Sequence, residues 1–236
     1  MENADVETSS EAYARRFAGG VGGWFLAVQA EATRDLLRPF PRARIVDVGG
    51  GHGQLAAPLA DAGHDVTVVG SSEACRARVQ SLVDRGGVRF QAADLLRLPF
   101  AARAFDVALA FRLLPHVARW RELVAELCRV AARAVIVDYP TTRSLNAVAG
   151  PLFGVKKRVE GDTRPFAVFD DGEVESAFAS EGFRVAARRP EFAVPMALHR
   201  ALGMAPLSRG LERAARLSGL TSRLGSPVIV RADRLG

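Results

Sequence analysis

Between Arg44 and Gly53 the chain reads RIVDVGGGHG, an apolar strand-like run that breaks into four glycines within five positions. Glycine has no Cβ, so a turn built this way lets a ligand come close to the backbone. The helix that follows presents unpaired N–H groups to it. The stretch QLAAPLADAG supplies that helix. The chain is thereby restricted to folds in which a buried strand delivers a ligand-holding turn.

The rest of the sequence repeats the same unit. Short runs rich in Val, Ile and Ala stand at 43–48, 64–70, 88–92, 105–111 and 134–139, which predicts five buried strands. Helical patterns lie between them in QLAAPLADAG, SEACRARVQSLVDRGG and WRELVAELCRVAA, two of which end in glycine. Alternation of this kind builds a doubly wound parallel sheet with helices on both faces. After Pro140 come a loop-rich segment to Phe169, an Asp-led helix in DDGEVESAFASEGF and strand-like FRVAARR. An apolar and basic helical stretch over 193–225 and a closing strand SPVIVRAD follow. With no repeat or low-complexity linker, the expectation is a single domain over 1–236 with a helical cover at 1–40.

Composition narrows the class. At 236 residues, 49% hydrophobic and 25% charged, the chain resembles an ordinary globular domain, and no apolar run reaches the roughly 18 residues of a membrane span. The polar N-terminus does not look like a secretory signal, so a cytoplasmic protein is expected. Cys75 and Cys128 lack metal or redox spacing, which predicts buried free thiols and no metal site. The net charge of +6 sits mostly after residue 140, where 15 cationic residues face 10 acidic ones. This suits either a solvated basic surface or an anionic substrate.

The order Asp47-Val48-Gly49-Gly50-Gly51-His52-Gly53 resembles the acidic-x-Gly-x-Gly-x-Gly signature of class I S-adenosylmethionine-dependent methyltransferases. The stretches FQAADLLRLPFAARAFDVALAF and AFRLLPHVARWRELVAELCRV resemble that family's third and fourth strands and the helix after them. A nicotinamide-type GxGxxG counted from Gly49 needs glycine at position 54, where Gln54 stands. The resemblance implies a seven-stranded, mostly parallel sheet with the last strand antiparallel, three α/β/α layers and S-adenosylmethionine as cofactor. It further implies a cofactor site at Asp47, Gly49, Gly51 and Gly53, with Asp94 and Leu95 beside the adenine and Phe111 after the fourth strand. One position departs from the family: Gly70 occupies the place of the ribose-binding acid, which leaves Ser71, Ser72 or Glu73 to compensate. Glu73 also reads as an ordinary first-turn helix acid.

For a proton-accepting role, His116 and Tyr139 are the candidates, because both follow strands at the carboxyl edge of the sheet, where such folds bind ligands. His52 reads as a lining residue, His64 as structural, and His199 as an exposed or capping residue that alternatively faces the acceptor. The resemblance also implies that the N-terminal segment covers the cofactor, which lets Tyr13 or Arg16 reach its carboxylate. Lys156, Lys157, Arg158 and Arg164, with the 141–169 and 193–225 segments, suggest an apolar lid with a basic rim, which suits a hydrophobic small-molecule acceptor carrying an acid or phosphate. Nucleic acid is the weaker reading, since no Tyr or Trp follows Tyr139 to stack on bases. A catalytically silent binding protein and a nicotinamide-dependent oxidoreductase stand as alternatives.

Overall fold

The structure is a computed structural model that describes residues 4–144 and 166–236. The N-terminal helices are α1 (Ala4–Thr8), α2 (Glu11–Arg15) and α3 (Gly19–Leu37). The first half of the sheet comprises β1 (Arg44–Val48), β2 (Asp65–Gly70), β3 (Arg89–Ala92) and β4 (Phe105–Ala110). Helices α4 (Ala56–Asp61) and α5 (Gln80–Asp84) connect the first three of these strands. Then come α6 (Trp120–Val130), β5 (Ala131–Tyr139), α7 (Asp171–Ser180) and β6 (Phe183–Pro190). Helices α8 (Met196–Leu202), α9 (Ala205–Leu217) and α10 (Leu220–Leu224) are inserted before the closing strand β7 (Val228–Arg234).

The seven strands form one sheet in the order β3-β2-β1-β4-β5-β7-β6. β1 pairs in parallel with β2 and β4, β2 with β3, and β4 with β5. β7 runs antiparallel to both β5 and β6. The expected seven-stranded sheet with an antiparallel closing strand is therefore present, as is the helical insertion late in it.

Strand alternation makes the layers. Val46, Val48, Ala108, Ala110, Val135 and Val137 point into one core with Leu123, Leu127 and Phe178. Ile45, Val107, Leu109, Ala134 and Ile136 point into the other, with Leu36, Leu37 and Leu59. Each fully buried branched side chain contributes about 1.5–3 kcal/mol. The central strands, buried on both faces, thus hold the glycine turn rigidly. A third cluster of Val21, Trp24, Phe25 and Phe192 ties α3 to the chain leaving β6.

Three expectations change at this level. The helix expected through residue 132 stops at Val130, because Ala131 is already paired to Phe105 as the start of β5. The single helix expected over 72–87 is a 3-10 turn, Glu73–Arg76, followed by the short α5. His199 is fully buried: its Nε2 lies 3.1 Å from Glu212 Oε1, and Trp24 stands edge-on at 5.1 Å. It joins α8 to α9 from within the protein and is not the exposed residue expected. Cys75 and Cys128 are buried free thiols, as expected. Most of the 141–169 segment, including Lys156, Lys157, Arg158 and Arg164, lies outside the described residues. Among the described residues no helix is long and apolar enough to cross a membrane, and no metal-binding group of His, Cys, Asp or Glu occurs.

Candidate cofactor site at the β1 glycine turn

The turn after β1 depends on glycine for physical reasons. Gly49 and Gly53 take φ of +76° and +77°, the left-handed region that strains other residues. At Gly50 a Cβ would stand 2.2 Å from Asp47 Oδ2, and at Gly51 it would stand 2.4 Å from Ser9 Oγ. The chain therefore folds back over its own Asp47, leaving the backbone bare toward the carboxyl edge of the sheet.

A narrow recess opens there, lined by Thr8, Asp47, Gly49, Gly50, His52, Gln54, Leu55, Phe111 and Arg112. It has room for roughly one water molecule. Asp47 is 2% exposed, and its Oδ1 has no hydrogen-bond partner. Burial pushes its carboxyl up to about 7. His52 stands edge-on to Tyr13 and Phe17 at 5.6 and 5.8 Å. Burial, and then the charges of Arg112 and Arg78, push its imidazole down to about 3. At neutral pH His52 is an uncharged lining residue.

Sequence reasoning did not single out Arg112. Its backbone sits at φ +54°, an unusual value for a residue with a side chain, and its N–H donates to Asp138 Oδ1. Its Nη2 donates to Gln29 Oε1 at 2.9 Å, and its guanidinium lies 4.1 Å from the Phe17 ring centre. Gln29 Nε2 in turn donates to Asp138 Oδ2 at 3.3 Å. Burial raises the Asp138 carboxyl to about 6, an effect that its contacts with Arg112 oppose. The remaining guanidinium nitrogen, Nη1, is buried without a hydrogen-bond partner. The Tyr13 phenol lies beside this guanidinium: burial raises its pKa, and the Arg112 charge offsets part of the rise. The available sequence signals were a cation ending the apolar run FDVALAF and an acid inside AVIVDY.

Beyond the recess, α1 lies over the ends of β2 and of the glycine turn. Asp5 is fully buried; its Oδ2 accepts from Ser71 N at 2.7 Å and from Cys75 Sγ at 3.3 Å, while its Oδ1 is unpartnered. Ser71 Oγ is likewise buried without a partner, and Ser72 Oγ lies 3.9 Å from Cys75 Sγ. Nothing larger than hydrogen fits at Gly70, where a Cβ would stand 2.5 Å from Cys75 Cβ. Glu73 is an exposed first-turn acid beside Arg76. Asp94 turns back to accept from Leu96 N at 3.0 Å, and Leu95 is fully buried.

The two expected bases part company. His116 closes the 3-10 turn Leu114–His116 beyond β4, with its ring 5.6 Å from that of Phe166. Tyr139 does not reach the substrate edge. It is fully buried, its hydroxyl donates to Asp171 Oδ1 at 3.0 Å and accepts from Arg188 Nη1 at 3.1 Å, and burial raises its pKa further. The phenol is committed to joining β5, β6 and α7.

The chain is similar to known proteins in sequence and in fold. The methyltransferase domain family matches residues 46–136, from β1 into β5. Over almost its whole length the chain superposes on the crystal structure of magnesium protoporphyrin IX methyltransferase from Synechocystis, solved with bound S-adenosylhomocysteine. The TM-score is 0.66 at 16% identity, with 97% of this chain and 96% of the other covered. The fold is that of the class I S-adenosylmethionine-dependent methyltransferases. Two curated methyltransferases are similar to part of the sequence. An O-methyltransferase of Pyrenophora dematioidea is 37% identical over 100 residues, covering 40% of this chain and 37% of the relative. A demethylmenaquinone methyltransferase of Deinococcus radiodurans is 33% identical over 132 residues, covering 52% of each. The chain thus spans about half the length of these relatives or less.

Proposed function

We propose that the chain is an S-adenosylmethionine-dependent methyltransferase acting on a small, hydrophobic acceptor, with an acidic group on that acceptor as the finer reading. One observation carries the cofactor assignment: a side-chain-free glycine turn faces a buried carboxylate oxygen and a buried guanidinium nitrogen, both without partners. Unpaired buried polar atoms cost about 1–3 kcal/mol each, so their pairing with a polar ligand is favourable. The sulfonium cofactor, when bound, supplies an electrophilic methyl carbon for direct displacement.

The protein's task is then chiefly to position. Holding an acceptor in line provides about 7–11 kcal/mol, and a general base adds about 10²- to 10⁴-fold. His52, at about 3, is too weak a base to contribute at neutral pH. Tyr139 is occupied by Asp171 and Arg188. His116, at the carboxyl edge after β4, is the residue proposed to take a proton where the acceptor needs one. Ser71, Ser72, Asp94 and Leu95 form the proposed nucleoside side, which α1 now covers, so the nucleoside enters as α1 moves aside. The name of one curated relative, a demethylmenaquinone methyltransferase, supports a small-molecule acceptor, as do the exposed Leu207 and Leu211 of the α8 to α10 insertion.

Incubation with methyl-labelled S-adenosylmethionine and a panel of hydrophobic phenols and quinols, with and without an acidic group, tests this reading. Label transferred to an acidic member is the expected result; transfer to none of the panel counts against the acceptor class. The fit of Gly70 against Cys75 favours a second reading, a fold that binds a partner without transferring. It predicts weak or absent cofactor binding and no turnover on any acceptor.

A further inference from the structure

Helix α9 is packed with its polar side inward. Glu212 is buried, and its carboxylate accepts from Ala193 N at 3.1 Å and from Val194 N at 2.9 Å, with His199 Nε2 3.1 Å from Oε1. Ser208 and Ala215, about one turn to either side, are buried on the same face. A surface helix ordinarily buries its apolar stripe and leaves its charges in water. Here the bonds of Glu212 to the chain after β6 fix the helix the other way round. Met204, Leu207 and Leu211 are exposed, and Leu217, at the end of the helix, is 83% exposed. Every exposed residue of α9 is apolar, glycine or arginine.

The charge on this surface has one sign. Residues 193–225 contain five arginines and a single acid, Glu212, which is buried. Arg209, Arg213 and Arg223 are exposed and make no ion pair among the described residues. Leu207 and Leu211, four residues apart, form one row along α9; Arg209 and Arg213 form a second, about 160° round the helix. A second copy of the chain would set arginines against arginines, which is repulsive. Nucleic acid would satisfy the cations but leave the leucines in water. An anionic lipid surface satisfies both rows at once. We infer that α9, with the start of α10, docks the chain on the surface of an anionic bilayer. Leu207, Leu211 and Leu217 enter the acyl boundary, while the arginine stems lie along it and their guanidinium groups pair with lipid phosphates. The chain lies on the bilayer rather than spanning it, since no helix among the described residues is long and apolar enough to cross. This inference stands independently of the cofactor reading.

The test is co-sedimentation of the full chain with vesicles of phosphatidylcholine alone, or of phosphatidylcholine and phosphatidylglycerol in equal parts. The chain is expected to pellet with the anionic vesicles and not with the neutral ones, and to be released as salt is raised. Replacing both Arg209→Gln and Arg213→Gln is expected to weaken binding about 30-fold, which is about fivefold per arginine. Arg85→Gln with Arg184→Gln removes the same charge from exposed positions after α5 and at the start of β6, and should change binding no more than about twofold. Leu207→Ser with Leu211→Ser should abolish pelleting while leaving the circular dichroism and Tm of the chain unchanged, because both side chains are exposed in the folded protein. Equal binding to both kinds of vesicle, an equal effect of the two arginine pairs, or full binding by the folded leucine variant overturns the inference. So does a wild type that pellets with neither. A dimer in sedimentation velocity that the leucine variant splits also overturns it, and assigns the face to a second copy.

Discussion

His52 illustrates how much a single residue's surroundings decide. Its imidazole is pushed from 6.5 down to about 3, first by burial and then by Arg112 and Arg78. Between those values the folded protein binds fewer protons than the unfolded one. The contribution is therefore complete above pH 6.5 and is lost as the pH falls toward 3. Asp47 at about 7 and Asp138 at about 6 act in the opposite sense, since a raised carboxyl favours the folded state at low pH and loses that advantage as pH rises. A variant isolates the histidine: between pH 6.5 and 4.5, the urea midpoint of His52→Gln should fall less steeply on acidification than that of the wild type. Equal slopes would show that His52 is not held neutral by its site. At this scale the glycines and Asp47 were legible, because their spacing is local. Arg112 was not, since a cation after an apolar run looks the same whether it is solvated or buried. Tyr139 and His199 were misread because Asp171, Arg188 and Glu212, which occupy them, are distant in sequence or carry no signal of pairing.

Among the elements, the parallel strands could be read because burial on both faces demands continuous Val, Ile and Ala. The α6–β5 junction could not, because Ala131 and Ala132 suit helix and strand alike, and only the pairing of Ala131 with Phe105 decides between them. The least legible element is α1: five residues with no periodicity to read, placed by one carboxylate on Ser71 and Cys75. Its hold is weak in energetic terms, since Asp5 Oδ1 stays buried and unpaired. Where only the uncovered fraction binds, apparent affinity falls by that fraction. Removing residues 1–9 should accordingly tighten S-adenosylhomocysteine binding by about two- to tenfold, read by calorimetry. A loss of affinity would instead mean that Asp5 itself holds the ribose, in place of the acid missing at Gly70.

For the molecule as a whole, two packed cores on either side of one sheet hold the turn after β1, the residue after β4 and the end of β5 in fixed relation. Gly49, Arg112 and Asp138 meet for that reason. The sheet's outline was readable in the sequence as alternation of short apolar runs and helices; the convergence at its carboxyl edge needed the strand order. The central claim is that this edge binds S-adenosylmethionine. Calorimetric titration of the full chain with S-adenosylmethionine and S-adenosylhomocysteine, alongside NAD and NADP, tests it most directly. Micromolar binding of the first two, with none of the nicotinamide cofactors, is the predicted result. Absence of binding by both sulfur nucleosides, or preference for a nicotinamide cofactor, would contradict it.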